Sequence, residues 1–116
     1  MKEYDLEERT YQFARTVRVF TRNIPRTLEN TEDAKQLIRA SGSAGANYIE
    51  ANESLSKKDF IVRIKISRKE AKESRLFLRL IDPGDESESR DLQCQLIQEA
   101  RELTNIFGAI LRKSQT

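Results

Sequence analysis

The fold class follows from residues 56–85, which read SKKDFIVRIKISRKEAKESRLFLRLIDPGD. Ser56 is followed three residues later by Asp59, the spacing of a capping box at the start of a helix. No breaker interrupts the stretch before Asp82-Pro83-Gly84-Asp85, where proline and glycine end helices. The stretch therefore predicts one long helix with a defined start and end.

The apolar side chains of this helix cover more of its surface than one bundle core requires. At about 100° per residue, one set faces a single side: Phe60, Ile64, Ala71, Ser74, Leu78 and Ile81. A second set lies further round: Val62, Ile66, Phe77 and Leu80. The combined arc spans roughly 200°, whereas a helix of a lone bundle needs slightly over 100°. The excess predicts an oligomer interface at the second set; the alternative is scattered surface apolar residues, which are common.

Cations recur on the opposite side of the helix at spacings of 3, 4, 3 and 4 residues. They are Lys65, Arg68, Lys72, Arg75 and Arg79, here called the basic stripe. Like charges at this spacing destabilise a helix unless a counter-charge offsets them. One interpretation is a surface for nucleic-acid phosphates or an acidic protein, with salt-sensitive and sequence-independent contacts. The other is a solvated face balanced by residues 82–102, which carry seven acidic and two basic side chains. No aromatic residue is interleaved with the stripe, so base stacking is not predicted.

Three further helices are predicted on either side of this one. Upstream, an apolar stripe runs from Leu6 to Ile24 and stops at Pro25, and a second helix is expected from Asn30, as its cap, to Ser54. Downstream, an amphipathic helix is expected over residues 87–112. Four amphipathic helices with three short connections predict an all-α, up-down-up-down four-helix bundle, and 116 residues fit a single domain, residues 1–116. Within the second helix, the small residues 40–46 (ASGSAGA) predict a close approach of another backbone.

The composition excludes several kinds of chemistry. The chain has one Cys and no His, so it has no internal disulfide, no Cys- or His-based zinc site and no histidine general base. Cys94 lies between two glutamines and is predicted to be inert. No apolar run reaches the roughly 18 residues that cross a membrane, and residues 1–10 are too charged for a signal peptide. We expect a cytoplasmic protein that is not an enzyme and binds no cofactor.

One carboxylate set keeps a metal-binding alternative open: Glu50, Glu53, Glu70 and Glu73. Carboxylates on facing helices can hold a hard cation, but the di-iron bundles also need Glu-x-x-His motifs. Our prediction is that these carboxylates pair with Lys57, Arg63, Lys69 or a neighbouring subunit, and that no residue binds metal.

The sequence also resembles a known family. Residues 41–53 (SGSAGANYIEANE) lead into residues 55–60 (LSKKDF), and residues 65–75 (KISRKEAKESR) follow. These motifs resemble the bacterial four helix bundle protein family, also called the 23S ribosomal RNA intervening sequence protein family. Its members often carry a Tyr-Trp pair where this chain has Leu76-Phe77.

The resemblance implies a small helical bundle that assembles into a ring, typically a homopentamer. Some members are encoded within intervening sequences of large-subunit ribosomal RNA genes. The fold is shared with the accessory variability determinant of diversity-generating retroelements, a basic pentamer that binds nucleic acid and its reverse transcriptase. Because a fold does not carry its function with it, RNA binding is here an expectation from analogy.

Together these observations predict a homo-oligomer that binds structured RNA or a ribonucleoprotein partner through the basic stripe. Arg15, Arg18 and Arg22 are predicted as further contacts. The alternative is a protein-interaction or structural oligomer that does not bind nucleic acid. In that alternative the stripe meets residues 82–91, or Glu99 and Glu102, of a neighbouring subunit.

Overall fold

The computed structural model describes residues 3–115, and the side chains of residues 5–115. Within them the chain forms four helices: α1 (Glu3–Arg22), α2 (Leu28–Asn52), α3 (Lys57–Leu80) and α4 (Ser87–Ser114). Each helix packs against its neighbours in the chain, and α1 closes the bundle against α4. The contacts pair the start of α1 with the end of α2, the start of α3 with the end of α2, and the end of α3 with the start of α4, so successive helices are antiparallel. The predicted all-α four-helix bundle is thereby confirmed.

The core runs along the shared centre of the four helices. Its largest fully buried side chains include Phe20, Leu37 and Phe107, and the rings of Tyr48 and Phe107 lie 5.9 Å apart at a tilt of 50°. Tilted aromatic pairs of this kind add to the stabilisation from burial alone. No helix within residues 3–115 is both long and apolar enough to cross a membrane.

The small residues of α2 allow close packing on two sides, as predicted. On one side Ser67 of α3 donates a buried hydrogen bond of 2.9 Å to the carbonyl oxygen of Ala44. On the other side Gly45 lies against Thr10 of α1, where a Cβ atom would come within 3.1 Å of the Thr10 Oγ1. Side chains larger than these would hold the helices apart.

The start of α3 is as predicted, whereas the start of α2 is not. Ser56 caps α3 and its hydroxyl accepts a hydrogen bond from the Asp59 amide. The cap of α2 is Thr27, not Asn30, and its hydroxyl accepts from the Asn30 amide. The helix therefore begins three residues earlier than the sequence indicated, because Thr27 provides an equivalent oxygen.

Asn30 instead ties two connections together. Its side-chain amide donates to the carbonyl oxygens of Pro25 (3.0 Å) and Asp82 (2.8 Å), and its carbonyl accepts from the Asp82 amide (3.0 Å). Asn30 is buried, and these bonds use both of its amide donors and give its carbonyl oxygen one hydrogen bond. Through Asn30, the segment that ends α3 at Asp82 is thus held by hydrogen bonds to the connection before α2.

Candidate nucleic-acid interface

The basic stripe lies on the side of α3 that faces α4. Lys65, Arg68, Lys72 and Arg79 are exposed, and Arg75 is half-buried. Contacts on the other side of α3 are with α2: Ser67 reaches Ala44, and Glu70 reaches Arg39. The stripe and the α2 contact therefore occupy different faces of the same helix.

A groove runs along the outer seam between α3 and the C-terminal half of α4. Its volume is about 750 Å³. It is lined by five cations, one carboxylate and four uncharged residues: Lys65, Arg68, Lys69, Lys72, Arg112, Glu73, Leu76, Gly108, Leu111 and Gln115. A second hollow of about 260 Å³ continues along the seam and shares Lys72 with the first. Its other lining residues are Arg75, Arg101, Thr104 and Asn105. Together they make one basic groove, here called the α3–α4 groove.

Two of the seven acidic side chains expected to balance the stripe are engaged elsewhere. Among the described residues, no cation of the stripe makes an ion pair within 4.0 Å. Glu99 and Glu102 of α4 instead face α1, where Arg9 contacts both carboxylates at 2.7 Å. Hydrogen bonds from Gln98 and from Arg9 hold the pKa of Glu102 below its ordinary value. These two carboxylates therefore belong to the α1–α4 seam and not to the α3–α4 groove.

Arg75 is the least exposed member of the stripe. Its Nε atom is buried and has no hydrogen-bond partner among the described residues. A buried donor without a partner costs about 1–3 kcal/mol.

Of the four residues predicted as an oligomer interface, Ile66 and Phe77 lie on the α2 side of α3 and Val62 and Leu80 on its outer surface. Val62 is 48% exposed and Leu80 57% exposed, whereas Ile66 and Phe77 are half-buried. Phe77 packs against the core. Ile66 and Phe77 lie within about 40° of Glu70, which faces α2, whereas Val62 and Leu80 lie on the outer surface at the edge of the groove, between Glu70 and Lys69 around the helix.

The structure places the candidate metal carboxylates in two separate groups. Arg39 contacts Glu70 at 3.3 Å and Glu73 at 3.6 Å, so these acids pair with α2 and not with the cations we predicted. Glu50 and Glu53 are exposed near the end of α2. In the part of the chain that the structure describes, no three His, Cys, Asp or Glu residues converge as metal ligands. Arg63, one of the predicted partners, donates to Asn47 instead.

The α1 arginines predicted as further contacts do not extend the stripe. α1 packs against α2 and α4 and lies diagonally opposite α3. Arg15 lies over the ring of Tyr11, and Arg18 donates to the Ala14 carbonyl. They lie away from the α3–α4 groove because the bundle separates them from it.

Two arginines of the groove were missed by the sequence reasoning. Arg101 and Arg112 belong to α4, a helix whose first half is acidic overall, and summing charge along a segment hides the direction in which each side chain points. The available signal was the spacing of Arg101, Asn105, Gly108 and Arg112, which places them on one face of α4 at steps of 4, 3 and 4.

Comparison with known proteins gives the chain a family. A solved structure described as a protein with unknown function from the S23 ribosomal protein family, from Bacteroides thetaiotaomicron, superposes with a TM-score of 0.75. It is 24% identical, over 97% of this chain and 99% of that one, which establishes a shared fold. No curated protein matches the sequence significantly. The sequence model for the 23S rRNA-intervening sequence protein matches residues 2–109. Because that match spans nearly the whole chain, the protein belongs to the 23S rRNA-intervening sequence protein family.

Proposed function

We propose that the protein binds RNA through the basic stripe and acts as a binding protein, not as an enzyme. The observation that carries the proposal is the α3–α4 groove, whose stripe cations have no ion-pair partner among the described residues. Unpaired cations along one helix repel one another, and a chain of phosphates offsets that repulsion. The family description, an intervening sequence of 23S rRNA, makes RNA the polyanion to test first.

Recognition through this surface is directed at the nucleic-acid backbone. Neither hollow of the groove is lined by an aromatic side chain. Aromatic side chains are the platforms on which single-stranded bases stack, whereas lysine and arginine contact phosphates whatever the sequence. Binding is therefore salt-dependent and tolerant of sequence.

The test replaces all five stripe residues by glutamine and measures binding to a structured RNA across a salt series. The matched control makes the same change at five exposed cations outside the groove: Arg22, Arg26, Lys35, Arg63 and Arg90. Both variants change the formal net charge from +2 to −3, so overall charge cannot account for a difference between them. We expect the stripe variant to bind weakly with a flattened salt dependence, and the control to keep most of the affinity.

Equal binding by the two variants would contradict the assignment. If the stripe variant instead dissociates an oligomer and keeps its RNA affinity, the charges serve assembly and the protein-interaction alternative holds.

We also propose that the protein is a homo-oligomer, a pentameric ring by analogy with its family, held by the apolar face of Val62, Ile66, Phe77 and Leu80. The support is the exposure of Val62 and Leu80, about half of each side chain, on a helix already buried on its core side. Replacing Val62 and Leu80 by glutamate should lower the mass measured by sedimentation equilibrium to that of a monomer. Glutamate at the exposed Gln36 and Gln95 is the control for added charge. An unchanged mass in the Val62/Leu80 variant would exclude this interface.

A further inference from the structure

The wall that α4 contributes to the groove is centred on Gly108. A Cβ atom at this position would lie 3.4 Å from Arg68 Nε and 3.6 Å from Arg112 Nη1. The two guanidinium groups, one from each helix, therefore converge on one point, and these nitrogens are at most the sum of those distances, 7.0 Å, apart.

Helix packing does not explain a glycine at this position. The atoms within 4 Å of its ideal Cβ all belong to the flexible side chains of Arg68 and Arg112, and no backbone atom of α3 comes as close. Gly45 differs, because its neighbour is the buried Thr10 of the packed helix α1. The position beside Gly108 is thus bordered by two cations and not by the backbone of another helix.

The charges around this point are left uncompensated. Lys65, Lys69 and Lys72 line the same hollow, and Glu73 is the one carboxylate among its lining residues. Glu73 lies 3.6 Å from Arg39 on the α2 side, so its charge is already shared. Two guanidinium groups held close together without an anion repel each other, and a phosphate between them would receive charge-assisted hydrogen bonds from both.

We propose that Arg68 and Arg112 grip one phosphate over Gly108, and that the α3–α4 groove holds one sugar–phosphate strand of an RNA duplex. This proposal rests on the proposed function and adds the α4 wall, Arg101 and Arg112, to the stripe. From Lys65 to Leu76 the groove is about 16 Å long at 1.5 Å per residue, enough for several consecutive phosphates. The bases of a duplex are already stacked on one another, so the lack of aromatic side chains in the groove does not weaken its binding to a duplex.

The uncharged residues of the groove suit the same ligand. Thr104 and Asn105 border the second hollow beside Arg75 and Arg101. Protein recognition of double-stranded RNA relies on shape and on contacts to phosphates and 2′-hydroxyl groups. Hydroxyl and amide side chains between the cations can form hydrogen bonds with the 2′-hydroxyl groups.

The first test fills the space above Gly108 without changing any charge. Gly108→Leu should displace both guanidinium groups and weaken binding to a short RNA duplex about 100-fold, the loss of one charge-assisted hydrogen bond from each arginine. Ala109→Leu makes the same kind of enlargement at the adjacent exposed position and should bind like the wild type. Circular dichroism and sedimentation would show whether each variant keeps its fold and mass.

The second test removes charge and does not depend on Gly108→Leu folding. Arg112→Gln should reduce the slope of log affinity against log salt by about 0.9, one phosphate contact. Arg90→Gln removes the same charge from an exposed position in the first turns of α4 and should change the slope by much less. The single strand of the same sequence should bind more weakly than the duplex.

The outcomes separate this proposal from the function on which it rests. If the wild-type protein binds no RNA at low salt, both fail. If it binds, and the stripe variant is impaired while Gly108→Leu and Arg112→Gln behave like their controls, the stripe functions and the two-helix phosphate grip is wrong. Equal or tighter binding of the single strand would overturn the assignment to a duplex.

Discussion

Two glycine-to-alanine substitutions should have opposite effects on stability, although the chemical change is the same. Gly45 lies in α2 and Gly108 in α4, both in helix interiors. Replacing an interior helical glycine by alanine stabilises a helix by roughly 0.5–1 kcal/mol, because the unfolded chain loses freedom. What differs between the two sites is the neighbour that the new methyl group meets.

At Gly108 the methyl group fits. Its nearest neighbour is Arg68 Nε at 3.4 Å, an ordinary contact with a flexible side chain. The full helical gain should be retained, so Gly108→Ala should raise the free energy of unfolding by about 0.5–1 kcal/mol.

At Gly45 the methyl group does not fit. It would lie 3.1 Å from Thr10 Oγ1 and 3.3 Å from Thr10 Cβ. Thr10 is 1% exposed and its hydroxyl donates to the Glu7 carbonyl at 3.0 Å, so it has little room to move. Overpacking of this kind costs about 1–3 kcal/mol, which outweighs the helical gain. Gly45→Ala should therefore destabilise the protein by roughly 0.5–2 kcal/mol.

Urea unfolding of both variants at one protein concentration measures the difference, because the concentration of an oligomer affects its stability. Thr10→Ala removes the nearer of the two contacts and should reduce the penalty of Gly45→Ala in a double-mutant cycle. If both glycine variants are stabilised equally, α1 does not pack closely against the small residues of α2. If both are destabilised, the side chains of Arg68 and Arg112 do not make way for a methyl group at Gly108.

Three further predictions concern the connections and one seam of the bundle. Asn30→Ala removes the side chain that bonds the two connections and should lower the free energy of unfolding by about 1–3 kcal/mol. Asn30→Asp keeps the acceptor but sets a buried carboxylate oxygen against the carbonyl oxygens of Pro25 and Asp82, so it should cost more; a smaller loss for Asn30→Asp in urea unfolding would contradict this role. Ser56→Ala removes the α3 cap and should cost about 1 kcal/mol, and a variant as stable as the wild type would show that the cap contributes nothing. Because the pKa of Glu102 is lowered by Gln98 and Arg9, its contribution is complete above its ordinary pKa of 4.5 and is lost as the pH falls through the lowered value. Arg9→Gln should therefore make the loss of stability below pH 4.5 shallower, as measured by unfolding across a pH series, and an unchanged profile would contradict it.

The sequence predicted the ends of a helix correctly where only one nearby residue or segment could cap or end it. Ser56 and the Asp82-Pro83 breaker had no alternative nearby, and α3 is bounded as expected. At the start of α2, Thr27 and Asn30 are both good caps, and local pattern could not choose between them. Asn30 does not cap α2 because its side chain is hydrogen-bonded to the backbone of Asp82, 52 residues away.

The candidate site could be predicted on one helix and not on the other. The basic stripe is a property of α3 alone and is visible as spacing. The wall of α4 depends on which way that helix is turned: Arg9 binds Glu99 and Glu102 on one seam, which leaves Arg101 and Arg112 on the other. The net charge of residues 82–102 does not indicate on which side of α4 each charged side chain lies.

The most direct test of RNA binding through the groove is the affinity of the wild-type protein for a short RNA duplex across a salt series. If the five stripe cations each neutralise one phosphate, the slope of log affinity against log salt is about −4.5. Affinity should then fall about 500-fold between about 50 and 200 mM salt. A duplex that does not bind at the lowest salt, or binds with a slope near zero, would contradict the account.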